Sequence, residues 1–406
     1  MVEVPKMKWC SKCVYPHVAA TPLTFDEEGA CSGCRVDVEQ QKVNWDRRKK
    51  MFEDLLMDMK LGCGNSRYDC LIPVSGGKDS FYQCHIIRNV YKLNPLLVTY
   101  GENNYTDVGM RNIKRMRDVF NADHIFFQPS VEVLKKLNRI GLRKMGDPDM
   151  HAHIGIFTYP MQVAVRYNIP LIVWGEHGFM HLGGMHSYND LVEFTAKYRK
   201  EHNLRGYDWQ DFVGEEGLTE KDLQWAQYPN DEEIERMGLR GIYLANYFGW
   251  KPRHQMELMR SLYGFELSEK PFDRTYRRDT ALNNMHDHGL HDYMKFVKWG
   301  YGRATDYASL DIREGYFDRP KGIEMVQQYD DVIPGDIPRW LEYVGMTRTE
   351  LYEIADRFRD VHVWSRDGHG HWVKDNIWYY KWIQADNGYW YRAEELADLK
   401  KKLQKI

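Results

Sequence analysis

The chain has 406 residues, with 56 Lys and Arg against 59 Asp and Glu, a formal net charge of −3. At ~150 residues per domain this length accommodates two or three units, and 43% hydrophobic with 28% charged residues builds a large core under a soluble surface. The near-neutral balance removes the electrostatic footprint of a dedicated nucleic-acid binder, and the lack of a run of roughly 18 apolar residues argues against a membrane span. Residues 1–6 lack the basic-then-apolar pattern of a secretory signal, so a cytoplasmic protein without a membrane partner is expected.

The first feature is a pair of cysteine knuckles, Cys10-Ser11-Lys12-Cys13 and Cys31-Ser32-Gly33-Cys34. Their separation lies in the window of a four-cysteine zinc site. Each pair aims two thiolates at one point, and two pairs complete a tetrahedron. With Cys10, Cys13, Cys31 and Cys34 filling all four positions, the Zn²⁺ would be structural. Four unrelated thiols or a redox dithiol are the competing readings; no strand–helix context supports the latter. Seven cysteines is an odd count, which suits a reducing compartment better than a disulfide framework. Cys63, Cys70 and Cys84 read as buried apolar residues.

Residues 39–60 read as one amphipathic helix with Trp45, Phe52, Leu55, Leu56 and Met59 on a face. Alternation of strands and helices follows: strands at 70–74, 96–100, 124–127 and 171–174, helices at 79–90, 108–120, 131–143 and 154–167. Continuously apolar strands separated by helices imply a parallel sheet covered on both faces. The expected fold is therefore α/β, a doubly wound parallel sheet over residues 65–180. Residues 1–38 form the zinc knuckle before it and 39–64 a linking helix. Residues 181–330 read as an insertion over the sheet's carboxyl edge and a substrate-binding region. Residues 331–406 read as a mostly helical C-terminal region, with helices at 338–343 and 348–358, an aromatic alternation at 378–382 and a final charged helix.

The chemistry lies in Val74-Ser75-Gly76-Gly77-Lys78-Asp79-Ser80, directly after the first strand. Adjacent glycines let backbone approach a phosphate, and successive N–H groups form an anion nest. Lys78 adds a point charge, and Ser75 and Ser80 add hydroxyls. Asp79 is placed to hold Mg²⁺ or to cap the helix beside Ser80. Adjacent glycines do not fit a Walker frame. The loop resembles instead the S-G-G-x-D-S loop of the PP-loop ATP pyrophosphatases, which cleave ATP between its α and β phosphates. Further stretches, Gly155 to Pro160, Ile169 to Glu176 and Lys298 to Asp306, together with the cysteine knuckles, are similar to the N-acetyl sugar amidotransferases of lipopolysaccharide O-antigen and nonulosonic-acid synthesis. This resemblance spans roughly residues 8–360. It implies an adenine-nucleotide α-hydrolase-like fold, ATP and Mg²⁺ as cofactors, and an N-acetylated nucleotide-sugar substrate. It also implies ammonia from a separate glutaminase through a barrel-shaped synthase subunit.

In such a reaction the acetamido oxygen attacks the α-phosphate and later leaves with AMP as ammonia adds. Ser75, Lys78 and Asp79 are the candidate catalytic residues, and Ser75, Gly76, Gly77, Lys78, Asp79 and Ser80 the candidate nucleotide cradle. Tyr100, Gly101, Gly175 and Glu176 stand at carboxyl ends of strands, where open α/β sheets bind ligands; they are assigned to adenosine. Lys298 and Arg303 are assigned to pyrophosphate or sugar nucleotide, with a solvated basic face as the bland alternative. Histidines 177, 181, 186, 286, 288 and 291 match no zincin frame and read as substrate contacts or surface residues. The Trp and Tyr of 200–300 read as core. The alternatives are a PP-loop tRNA-thiolating enzyme, which would call for further reactive cysteines, and a non-catalytic nucleotide-binding scaffold.

Overall fold

The computed structural model describes residues 4–62, 67–102, 105–282 and 288–397. Cys63, His286 and residues 398–406 of the expected final helix lie outside the described residues. Five parallel strands form the central sheet: β1 (Cys70–Pro73), β2 (Pro95–Tyr100), β3 (His124–Phe127), β4 (Leu171–Trp174) and β5 (Arg240–Tyr243). Their order is β3-β2-β1-β4-β5, with Leu71 opposite Leu96 and Ile172. Helices cover both faces. On one face Ile72, Val74, Leu97 and Val173 pack with Phe52, Phe81, Met116, Phe120 and Trp250; on the other Leu71, Leu96, Val98 and Ile172 pack with Met161, Ala164 and Phe194. Successive strand residues face opposite sides, so a strand covered on both is apolar nearly throughout, as β1, β2 and β4 are; the exception, Thr99 of β2, donates its hydroxyl to the Val74 carbonyl at 2.6 Å.

The helices in chain order are α1 (Ser32–Gln41), α2 (Trp45–Gly62), α3 (Lys78–Cys84, continuing as a π-turn to Val90), α4 (Asp107–Phe120), α5 (Val131–Met145), α6 (Met150–Tyr167) and α7 (Gly178–Gly183). After them come α8 (Ala196–Tyr198), α9 (Asp231–Met237), α10 (Pro252–Tyr263), α11 (His288–Trp299), α12 (Arg303–Arg313), α13 (Arg319–Tyr329), α14 (Ile337–Val344) and α15 (Arg348–Asp356). Among the described residues no helix is long and apolar enough to cross a membrane. Trp340 anchors the second core, formed by α11, α14 and α15, and its indole N–H donates to Asn138 of α5 at 3.0 Å.

Two expectations are corrected. The helix expected over 39–60 is two helices, because Asn44 breaks the run: its Oδ1 accepts the Arg47 N–H at 3.0 Å, an N-cap that starts α2 afresh. The sheet also continues past residue 180. Residues 240–243, inside the supposed insertion, pair with β4 along Leu171–Trp174. Gly241 sits close to its neighbour there: a Cβ would stand 3.0 Å from that of Phe194, whose N–H bonds the Gly241 carbonyl at 2.7 Å. Past the expected C-terminal helices, the aromatic tail forms two antiparallel hairpins, β6 (Trp364–Arg366) with β7 (Trp372–Lys374) and β8 (Trp382–Gln384) with β9 (Trp390–Arg392). The second hairpin closes on the cysteine knuckle: Trp390 N–H donates to the Ser11 carbonyl at 2.8 Å, and Arg319 lies 3.9 Å over the Trp382 ring.

Candidate functional site

The four knuckle cysteines converge. Cys10 and Cys34 sulfurs are 3.8 Å apart, Cys13 and Cys31 sulfurs 3.6 Å, and all four thiols lie within 4.8 Å of one another. A tetrahedral ion with ~2.3 Å metal–sulfur bonds sets its ligands about 3.8 Å apart, so the cage fits a single zinc ion. A four-iron cubane puts each thiolate on a separate corner and needs a wider cage. Backbone N–H groups of Lys12, Cys13 and Cys31 point at the Cys10 sulfur (3.2–3.4 Å), and the Arg313 guanidinium stands 3.5 Å from that of Cys31. These donors stabilise thiolate charge. Arg319 donates to the Cys10 and Cys13 carbonyls at 2.9 Å each, tying the knuckle to α13.

The loop from Val74 to Gly77 leaves β1 at the switch point, where β2 lies on one side and β4 on the other. Gly76 has φ of +81°, and a Cβ there would run into Ile113 of α4. Gly77 opens α3 with extended backbone. Ser80 folds back so that its Oγ accepts the Ser75 N–H at 3.0 Å and sits 3.4 Å from the Ser75 hydroxyl. Lys78 is half-buried, its ammonium 2.8 Å from Asp79 and 3.6 Å from Asp279. Burial alone would depress the ammonium, but the two carboxylates more than reverse this and hold it charged. Asp79 does not cap α3; it pairs with Lys78, and its Oδ1 is buried without a hydrogen-bond partner.

Two cavities meet at Ser75, Asp79, Glu176 and Leu182. The larger, about 470 Å³, is mainly apolar: Val98, Tyr100, Trp174 and Gly175 at strand ends, Ile156, Phe157 and Pro160 on α6, and Tyr198 and Tyr243 opposite. The smaller, about 220 Å³, is charged, with Lys78, Arg277 and Arg303 among Asp79, Asp279 and Asp306. Each arginine is already held: Arg277 by Asp311 at 2.5 Å, Arg303 by Asp292 at 2.7 Å. Burial, reinforced by Asp79, pushes Glu176 up to about 7. Its Oε2 lies 3.9 Å from His181 Nε2, and burial pushes that histidine down to about 3.

The fold thus brings Ser75, Gly76, Gly77, Lys78, Asp79 and Ser80 together, puts Tyr100, Gly175 and Glu176 on the apolar cavity, and puts Arg303 on the charged one. Two assigned residues stand elsewhere. Gly101 lines neither cavity; its N–H continues the sheet ladder to Phe127 (2.6 Å) and the Gln128 side chain covers it. Lys298 points away, its ammonium 3.4 Å from the Met145 carbonyl, pushed down to about 8 by burial. His177 is not a surface residue: it is 1% exposed and accepts the Met180 N–H to start α7. Trp225 packs tilted against Tyr100, ring centroids 4.8 Å apart, within a core cluster, as expected of these aromatics. Cys70 and Cys84 are wholly buried. The sequence reading missed Arg277, Asp279 and Tyr307. The first two lie in the irregular stretch Arg274-Thr275-Tyr276-Arg277-Arg278-Asp279, whose only signal is its density of charge.

Residues 268–378, which supply Arg277, Asp279, Arg303 and Tyr307, match the family described as LPS biosynthesis protein WbpG-like, C-terminal domain. The matched segment follows the five-stranded sheet in the chain. An uncharacterized protein, MJ1599 of Methanocaldococcus jannaschii, is 30% identical over 89 residues, 22% of this chain and 31% of that protein; the chain thus matches about a third of that relative's length. Among solved structures, NMN synthetase from Francisella tularensis has a TM-score of 0.27 at 13% identity, covering 55% of this chain and 98% of that one. The NH3-dependent NAD synthetase of Campylobacter jejuni has 0.28 at 12%, covering 56% and 99%. The U34-tRNA thiolase NcsA of Methanococcus maripaludis, with its [4Fe-4S] cluster, has 0.28 at 13%, covering 78% and 88%. These values assign neither substrate nor reaction to the chain.

Proposed function

We propose that this chain is an ATP-dependent N-acetyl sugar amidotransferase, converting the acetamido group of a nucleotide sugar to acetamidino with release of AMP and pyrophosphate. The observation that carries this reading is the junction of the two cavities at Ser75, Asp79 and Glu176. Adenosine occupies the apolar cavity, of a size and lining suited to a small ligand, and the polyphosphate lies against the loop with Lys78, Arg277 and Arg303 around it. Fixed charges of this kind stabilise a transferring phosphoryl group without reorganising. Asp79, with its unpartnered Oδ1, is the residue that would hold Mg²⁺; the ion would supply positive charge to the phosphates.

An amide carbonyl is a poor electrophile and its oxygen a poor leaving group. Attack of that oxygen on the α-phosphorus expels pyrophosphate and leaves an O-adenylated imidate. Ammonia then adds to the imidate carbon, the carbon–oxygen bond breaks, and AMP leaves with the oxygen. The proton shed by nitrogen needs an acceptor, and Glu176 stands at the junction with a pKa suited to exchange near neutrality. Zinc in the four-cysteine cage is structural in this scheme. Nitrogen comes from a separate glutaminase through a barrel-shaped synthase subunit, since the described cysteines outside the cage, Cys70 and Cys84, are buried in the core.

The test is incubation with ATP, ammonium and a panel of N-acetylated nucleotide sugars, read by mass spectrometry for replacement of carbonyl oxygen by NH. Ammonium at high pH supports product formation and glutamine does not. No product from any N-acetylated sugar, together with thiolation of added tRNA, would overturn the reading.

A further inference from the structure

A second cluster stands outside the nucleotide loop. The chain leaves α5 through Gly146 in a left-handed cap and turns at Asp147 before α6 begins. Asp147 is thereby held beneath the first turn of α6, where His153 projects, and faces His291 of α11. Asp147 Oδ1 is 2.8 Å from His291 Nδ1, and Oδ2 is 3.9 Å from His153 Nε2. The three ligand atoms lie within 4.8 Å of one another, and the two imidazole centroids are 5.8 Å apart.

Hydrogen bonding does not complete this cluster. Asp147 is 1% exposed, yet its Oδ2 is buried without a hydrogen-bond partner, and so is His153 Nε2. Arg205 approaches Oδ2 only to 3.7 Å, and Asp149 approaches His291 Nδ1 only to 3.7 Å. A gap of 3.9 Å is too long for a hydrogen bond. It matches two donors on one ion, since bonds of ~2.0–2.2 Å put ligand atoms no more than about 4.2 Å apart. Such an ion would satisfy both orphaned atoms at once.

We infer that Asp147, His153 and His291 form a second metal site, for a borderline divalent cation such as Zn²⁺ or Co²⁺. Two imidazoles and one carboxylate suit such ions better than the hard Mg²⁺. Three protein ligands leave a coordination position open, and His153 lines the large cavity beside Tyr100, Ile156 and Arg205. The open position therefore faces whatever oxygen-bearing molecule fills that cavity. His291 comes from the WbpG-like segment while Asp147 and His153 come from the sheet domain, so the ion bridges the two.

The site is tested with metal alone, on full-length protein whose cysteine cage is already loaded with zinc. Equilibrium dialysis against Co²⁺, with elemental analysis, counts further equivalents, and visible absorption distinguishes nitrogen and oxygen ligands from thiolates. Wild type takes up one further Co²⁺ with no thiolate charge-transfer band, and His153→Gln binds it at least tenfold more weakly while keeping its zinc. Asp147→Asn behaves the same way; because Asp147 is buried, His153→Gln, half-exposed, carries the test if that variant does not fold. No further Co²⁺ in wild type, or equal uptake by His153→Gln, overturns the inference.

Discussion

Replacing Lys78 by Met separates the two tasks of its ammonium. In the folded chain it stands 2.8 Å from Asp79 and 3.6 Å from Asp279, and the side chains of Lys78 and Asp279 are 13% and 8% exposed. Removing one member of a buried pair typically costs about 3–5 kcal/mol, most of it from the charge left behind. Asp79, at 32% exposed, keeps some water, so the lower end, about 3 kcal/mol, is expected. Removal of one preorganised charge from the phosphoryl site lowers turnover by about 10²–10³. A second substitution, Asp279→Asn, removes a stranded carboxylate and returns most of the stability. It returns none of the turnover. Urea unfolding measures the first quantity and AMP release the second. A Lys78→Met protein as stable as wild type would show that the carboxylates do not depend on it. Near wild-type turnover in the double variant would remove Lys78 from the chemistry.

Cys13→Ser should lose the bound metal and undock both α13 and the second hairpin, because Arg319 and Trp390 hold the knuckle backbone; metal analysis and near-UV circular dichroism read this, and full zinc retention would count against the cage. Gly76→Ala should be destabilised by at least ~1–2 kcal/mol from the left-handed backbone alone, with further loss from the collision with Ile113. Gly77→Ala, at φ of −77° and with only Ser75 Oγ at 3.4 Å, should unfold near wild type, and equal losses in denaturant melts would refute the contrast. Burial, opposed by Arg277, pushes Glu314 from 4.5 up to about 7. The folded state therefore holds this proton more tightly than the unfolded one, so ionisation destabilises the fold progressively from about pH 4.5 to 7 and fully above. Glu314→Gln should match wild type below pH 4.5 and gain about 1–2 kcal/mol above pH 7, allowing for solvent at this half-buried position; a gain independent of pH, measured by melts from pH 4 to 8, would show that another contact is responsible.

What the sequence displayed follows from where the deciding interactions lie. Leu71-Ile72, Leu96-Leu97-Val98 and Leu171-Ile172-Val173 read as strands because both faces of the sheet are covered and each residue had to be apolar. Arg240-Gly241-Ile242-Tyr243 concealed β5, since it is an edge strand held in place by the Phe194–Gly241 contact, a fact of tertiary packing. The break at Asn44 was local and readable, but the apolar spacing of Trp45, Phe52, Leu55 and Leu56 lies wholly after it and so did not mark where the helix begins. In the tail, three-residue strands are too short for alternation to distinguish them from a helix turn.

The site divides the same way. Residues 74–80 hold their chemistry within seven consecutive positions, so the loop could be read directly. Its opposite wall is assembled from Arg277 and Asp279, which follow α10, and Arg303, which follows α11. Lys298 and Arg303 are five residues apart, yet they end on different helices. Gly300, at φ of +71°, turns the chain between α11 and α12 so that one side chain faces Met145 and the other the loop. Net charge was equally blind to placement. The small cavity is lined by Lys78, Arg277 and Arg303 against Asp79, Asp279, Asp306 and Glu176, so its cations arrive already paired and the empty pocket strands no buried charge. A polyphosphate entering that pocket gains little net attraction unless it brings positive charge with it. On the proposed function, the Oδ1 of Asp79 is where that charge would sit, and the cavity would take the metal–nucleotide complex rather than the bare nucleotide.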